Sequence, residues 1–198
     1  MEEVKSSYAE NNFGVVFKAL VTQKMPIICV ELGVLNGYSS LYIGLALEYN
    51  YKEHAIKGHL HSYDLWEDYL YNHGNKDSVQ GLLERNEIDD YVSLYHADAM
   101  KVHKLYEEKQ VDLFHVDISN HGDIFNFMIE KWHPILKVNG VFLFEGGSEE
   151  RDYEIWMLNY KFSSIKKAIE SNEIVKSFYQ YETYIKFPSL TVFTKKGE

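Results

Sequence analysis

The sequence predicts an α/β fold built around a mostly parallel sheet, and three observations carry that prediction. Segments of strand type alternate with segments of helical period along the chain, the pattern of helices packed against a parallel sheet. The strand ends are acidic, with Glu31, Asp64, Asp98, Asp117 and Glu145 closing successive apolar runs. The tail carries two long β-prone segments, IVKSFYQYETYIKF and LTVFTKK, separated by Pro188 and Ser189. They read as an antiparallel pair.

The elements follow in order. Residues 6 to 22 predict a helix with Tyr8, Val15, Val16, Ala19 and Leu20 on an irregular apolar side. Pro26 leads into the first strand, IICVELG. From Tyr38 the period changes: Tyr38, Leu41, Tyr42, Leu45 and Tyr49 recur at helical spacing. Gly58 precedes a second strand, HLHSYDLW, and DSVQGLLERNEI is the next helix. YVSLYHAD is a short strand, AMKVHKLYEEKQ a helix, and VDLFHVDI the clearest buried strand. From Asp123 to Leu136 the stripe of Ile124, Phe125, Met128, Trp132 and Ile135 predicts a helix. KVNG reads as a turn before the strand VFLFEG, and Tyr153 to Leu158 and FSSIKKAIESN read as two further helices.

Bulk properties bound the function. A chain of 198 residues fits one domain, here taken as residues 1–198 with an N-terminal helical cap (1–26) on an α/β core (27–198). The first twenty residues lack the basic start and continuous apolar core of a signal peptide. No apolar run approaches the roughly 20 residues that span a bilayer. Cys29 is the single cysteine, which rules out an intramolecular disulfide. A cytoplasmic protein is expected. The formal charge of -10 argues against nucleic acid or anionic membrane as a partner. Lys161, Lys166 and Lys167 read as a local basic patch or, more often for such a run, as a solvated helix face. The 16 tyrosines and 11 phenylalanines line a cleft, fill half-buried sheet positions or make a homodimer surface.

The stretch ELGVLNGYSS, from Glu31 to Ser40, is the most informative. Gly33 and Gly37 let the backbone turn tightly and approach a ligand, and the following helix offers backbone N–H groups to an anion. A Gly-Lys-Ser/Thr ending is missing, which excludes a Walker loop, and the glycine spacing is not that of the dinucleotide fingerprint. Glu31 would oppose a phosphate. A ligand carrying an ammonium beside a carboxylate, an amino-acid moiety, suits both features.

These residues, with those at the later strand ends, resemble the class I S-adenosylmethionine (SAM)-dependent methyltransferases, in the small-molecule O-methyltransferase-like branch. VELGVLNGYSS matches the E-x-G-x-x-x-G-x-S form of the family's first motif, and the resemblance covers roughly residues 27 to 147. It implies a Rossmann-like, seven-stranded, mostly parallel sheet ending in a C-terminal antiparallel hairpin, with helices on both faces. It implies that Glu31, Gly33, Gly37 and Ser39 surround the methionine part of SAM, and that Asp64 accepts the ribose hydroxyls. Leu65 or Trp66 would pack near the adenine. Asp98 would accept from the adenine amino group with Ala99 beside it, and Asp117 matches the acid closing the fourth strand. ILKVNGVFLFEG resembles a further motif, with Asn139 replacing its first glycine and Glu145 its acid.

A sulfonium methyl is already electrophilic, so the protein must align a nucleophile and remove a proton from a hydroxyl. His121, just past a strand end, is the leading base, against the reading of a structural histidine. A related group uses a divalent metal such as Mg2+. Asp117 and Glu145 would supply its oxygen ligands, with Asn120 a third, although Glu145 followed by Gly146 departs from that group's Asp-Asn. Without a metal, Asp117 and Glu145 would orient substrate or base. The acids Glu149, Glu150 and Asp152 either meet a cationic or polyhydroxyl substrate or favour a helix N-terminus. The reading is transfer of methyl to a small-molecule hydroxyl, on a sugar or secondary metabolite. An N-methyltransferase, a macromolecule methyltransferase and a non-catalytic SAM-fold binding module stand as alternatives.

Overall fold

The computed structural model describes residues 4–197. The first three residues of the expected N-terminal cap lie outside the described residues. The chain divides into two compact units, Met1–Val102 and His103–Glu198.

The first unit begins with two helices where the sequence predicted one, α1 (Ser7–Glu10) and α2 (Phe13–Lys24). Asn12 breaks them apart in a left-handed conformation, φ 53, which asparagine tolerates better than most residues. The break lets the buried ring of Tyr8 meet Phe13 and Phe17 edge-on at 5.6 and 5.5 Å. Then come β1 (Ile28–Leu32), α3 (Tyr38–His54), β2 (His59–Asp64), α4 (Lys76–Arg85), β3 (Val92–His96) and the single turn α5 (Ala99–Val102). β1 pairs in parallel with β2, and β2 with β3. Cys29, Ile43, Leu47, Leu60 and Leu83 are fully buried between sheet and helices. Each large apolar side chain so buried stabilises the fold by about 1.5–3 kcal/mol. Asn75 starts α4 by accepting the Ser78 N–H at 2.9 Å.

The helix expected over 99–110 stops at Val102 and gives way to a short 3-10 turn, His103–Leu105. Val102 is buried but Leu105 is 66% exposed, and Tyr106 meets the buried ring of Trp132 at 5.6 Å from outside any helix.

The second unit holds β4 (Val111–Val116), α6 (Gly122–Trp132), β5 (Leu136–Glu145), the short helices α7 (Glu149–Asp152) and α8 (Ile155–Asn159), α9 (Ile165–Ser171), α10 (Glu173–Phe178), β6 (Tyr179–Tyr184) and β7 (Leu190–Lys195). β4 and β5 are parallel, and β7 runs antiparallel to both β5 and β6. Phe114, Phe125, Phe142, Phe144, Phe193 and Trp132 are buried together, with Phe114 stacked on Trp132 at 3.9 Å. Much of the phenylalanine content is therefore core, whereas tyrosines such as Tyr71, Tyr153 and Tyr160 are exposed.

Two expectations change here. KVNG is part of β5: the register slips between Val111 and Leu113, and Asn139 bulges out with φ 63. Residues 174–178, read as the start of a strand, are helical. The Asn172 side chain caps them by accepting the Ile174 and Val175 N–H groups at 3.0 and 3.2 Å, and this cap with burial of Val175 overrides the β-branched composition.

The strands form a seven-stranded sheet in the order β3-β2-β1-β4-β5-β7-β6, flanked by helices. The fold class is the expected one, mostly parallel with an antiparallel C-terminal pair. Among the described residues no helix is long and apolar enough to cross a membrane.

Candidate functional site

In the first unit the predicted residues gather at the exits of β1 and β2. Glu31 ends buried, and its carboxylate accepts from three hydroxyls: Ser39 at 2.5 Å, Ser62 at 2.7 Å, and Ser40. Ser62 sits opposite Glu31 in the β1–β2 register, and the two other serines lie on the first turn of α3. These hydroxyls hold the buried carboxyl next to the N-terminus of α3, which favours an anion.

Gly33 and Gly37 both adopt positive φ, 87 and 79. At Gly37 the requirement is double, because a Cβ would also approach Val79 Cγ1 to 2.8 Å. Gly37 is the N-cap of α3 and no side chain caps that turn, so its N–H groups suit a carboxylate from a ligand. This fits the amino-acid end of SAM.

Asp64 has a role the sequence did not disclose. Its Oδ2 accepts the Val34 N–H at 2.7 Å and the Leu35 N–H at 3.2 Å, and its Oδ1 accepts the Trp66 N–H at 3.0 Å. The acid thus shapes the glycine turn, and Oδ1 keeps capacity for one ligand hydroxyl. Trp66 is 1% exposed and its Nε1 donates to the Tyr95 carbonyl at 3.0 Å. It is core, which leaves the half-exposed Leu65 as the member of that pair open to a ligand. Asp98 accepts from Met100 N–H and pairs with Lys101 at 2.9 Å, and these two partners hold its carboxyl below the usual range. Ala99 beside it is half-buried.

The second unit brings Asp117, Asn120, His121 and Glu145 to the exits of β4 and β5. Asn120 is fully buried and ties the two strand ends together: Nδ2 donates to the carbonyls of Val116 and Glu145 at 3.1 and 2.9 Å, and Oδ1 accepts the Ile118 N–H. His121 stacks face to face on Phe162 with centroids 4.3 Å apart. Its Nδ1 is buried without a hydrogen-bond partner and lies 3.8 Å from an Asp123 oxygen. Burial lowers the imidazole pKa against the opposing pull of Asp123, so the ring is neutral near pH 7 and able to take a proton.

Glu145 has a partner that sequence reasoning missed. Arg151 binds it with two nitrogens, Nε to Oε1 at 2.6 Å and Nη2 to Oε2 at 3.0 Å. Both residues are buried. Burial pushes the Glu145 carboxyl up to about 7, with Arg151 pulling it down and the nearby Asp117 charge adding to the rise. The signal was present but faint: the chain has only two arginines, and one follows the acidic EGGSEE run.

The donor set proposed for a metal does not fit a divalent ion as folded. Both Glu145 oxygens are engaged by a guanidinium, and the Asn120 amide is engaged by backbone on both sides. Among the described residues no group of three or more His, Cys, Asp or Glu is placed to hold a metal.

Of the acids after Glu145, Glu149 and Glu150 lie exposed in the first turn of α7, and Asp152 serves a helix start. The Ser148 hydroxyl caps α7 by accepting the Arg151 N–H at 3.2 Å. Asp152 reaches forward to α9, accepting the Ser164 hydroxyl at 2.6 Å and the Ile165 and Lys166 N–H groups at 2.7 and 3.1 Å.

With this geometry in hand, comparisons place the chain among known proteins. Solved structures share its fold at low identity. An O-methyltransferase from Streptomyces achromogenes involved in tomaymycin synthesis, in complex with SAM, is 14% identical with TM-score 0.67, over 100% of this chain and 84% of that one. A methyltransferase from Podospora anserina bound to SAH gives 15% and 0.69, over 98% and 80%. An O-methyltransferase from Bacillus cereus in complex with SAH gives 12% and 0.67, over 98% and 84%. No curated protein matches the sequence. A family model described as a methyltransferase domain matches residues 30–145, more than half of the chain. The chain belongs to this methyltransferase-domain family and has the fold of the class I SAM-dependent methyltransferases.

Proposed function

We propose that this chain transfers a methyl group from SAM to a hydroxyl of a small molecule, with residues 1–198 acting as one methyltransferase domain, in the cytoplasm and as a homodimer. The observation that carries the reading is the β1–α3 turn: two positive-φ glycines, an N-terminus without a side-chain cap, and a buried Glu31 held by hydroxyls. The O-methyltransferase names of the structural relatives, and the SAM and SAH bound to some of them, point the same way.

In this reading the first-turn N–H groups of α3 hold the cofactor carboxylate, and Glu31 places negative charge beneath its ammonium. Asp64 Oδ1 accepts a ribose hydroxyl while Oδ2 keeps the glycine turn in shape. Leu65, Asp98 and Ala99 bound the adenine. When bound, SAM supplies an electrophilic methyl. His121, kept neutral by burial, takes the proton of the acceptor hydroxyl onto an imidazole nitrogen. Asp117 orients the acceptor. Calorimetric titration of the purified protein with SAM and SAH, with and without magnesium, tests the reading. Saturable binding near one ligand per chain is expected, and no binding to either in folded protein would overturn it.

A further inference from the structure

The strongest unexplained feature outside the cofactor turn is the third nitrogen of Arg151. The side chain is 4% exposed. Nε and Nη2 bond Glu145, Nη2 also reaches the Asn120 carbonyl at 3.5 Å, and the guanidinium lies over the Trp156 ring at 4.3 Å. Nη1 is buried and has no partner. A buried charged donor left unsatisfied is among the costlier defects a fold can carry, and its persistence points to a ligand.

The surroundings say what kind. Trp156 contacts Phe162 at 5.8 Å, Phe162 stacks on His121, and His121 is the peptide neighbour of the Asn120 carbonyl that Arg151 approaches. Arg151 and His121 therefore belong to one cluster, and each keeps a buried polar atom without a partner. Glu145 balances the guanidinium charge, and Asp117 is close enough to bear on Glu145 electrostatically. A second anion would meet a site with no positive charge to spare. An uncharged oxygen would meet two free N–H bonds.

We propose that Arg151 is an acceptor-binding residue whose Nη1 donates to an uncharged oxygen, a hydroxyl or carbonyl, of the molecule to be methylated. The proposal rests on the methyl-transfer reading for its occupant but not for its geometry. In this role the guanidinium supplies fixed N–H donors at the β5 exit, where the acids alone had suggested a metal. Held from two sides by Glu145 and Trp156, it meets the acceptor oxygen already oriented.

The test uses the full chain labelled with 15N, in which only Arg85 and Arg151 contribute guanidinium signals. Arg85 serves as the internal control. Spectra are recorded with SAH present while ethylene glycol, N-methylacetamide, catechol and sodium benzoate are added in turn. At least one of the three uncharged probes is expected to shift the Arg151 Nη1 signals saturably and leave Arg85 unmoved, with benzoate the weakest. Arg151→Lys, which retains charge but loses the fork, is expected to lower affinity for the best probe about tenfold to a hundredfold while SAH affinity stays the same. Arg151 signals unmoved by all three uncharged probes would overturn the proposal, as would stronger binding of benzoate, and neither reading of the spectra requires a variant to fold. Absence of SAH binding by the wild-type protein would count against the cofactor reading alone, because the Arg151 signals can be followed in the protein without it.

Discussion

Two glutamates end two parallel strands in this protein, and their surroundings are opposite. Glu31, at the end of β1, is held by three serine hydroxyls. Glu145, at the end of β5, is held by a guanidinium on both oxygens. The first arrangement surrounds a carboxyl with hydroxyl donors beside a helix N-terminus. The second cancels the charge and converts the carboxylate into a support that orients an arginine. Buried acids at equivalent strand exits thus do different work, and the neighbouring donors decide which.

The largest effect that would break this comparison is at the second site. Arg151→Ala leaves Glu145 buried without its counter-charge and is expected to destabilise the fold by about 3–5 kcal/mol, read from the urea denaturation midpoint. Replacing both partners with apolar residues, Glu145→Leu with Arg151→Met, is expected to recover most of that loss. No recovery would mean the pair is not energetically self-contained.

At the first site the sensitive readout is ligand affinity. Glu31→Gln keeps the shape and removes the charge, and SAM affinity is expected to fall about tenfold or more by calorimetry. The same measurement on Arg151→Lys is expected to show no change. Gly37→Ala is expected to cost about 1–2 kcal/mol from the left-handed backbone alone, with the Val79 contact adding to it, and to weaken SAM binding through the distorted turn.

The smallest expected effect sharpens the contrast by its sign. Half-buried His59 and His61, with ring centroids 5.0 Å apart, both have their pKa lowered, chiefly by burial. The folded state therefore binds fewer protons than the unfolded one, so their contribution to stability is present above about pH 6.5 and is lost as pH falls toward the lowered folded values. Glu145 acts in the opposite direction: its raised pKa makes its contribution less favourable as pH rises from the unfolded carboxyl value toward about 7. His61→Gln is expected to flatten the acid limb of stability against pH, measured by denaturation at a series of pH values. An unchanged limb would place the acid sensitivity elsewhere.

Much of the first unit's site was legible because its signals are local. Gly33 and Gly37 announce a turn by their own conformational freedom, and Glu31 ends a strand within the same ten residues. The partners of Asp64 were not legible. The N–H groups of Val34 and Leu35 are about thirty residues distant in sequence and reach the carboxylate only through the parallel pairing of β1 and β2. The helical start of the tail was hidden for a related reason: residues 174–178 are β-prone in composition, and one asparagine side chain tips them into a helix.

By itself the sequence determined the alternation of strands and helices, the acidic strand exits and the glycine turn, because periodicity, charge and backbone freedom are properties of neighbouring residues. Only the tertiary structure decided which donors meet which acid. That depends on donors brought in from elsewhere, Ser62 across a strand pair and Arg151 back across the β5–α7 loop, and on a burial that no single segment contains.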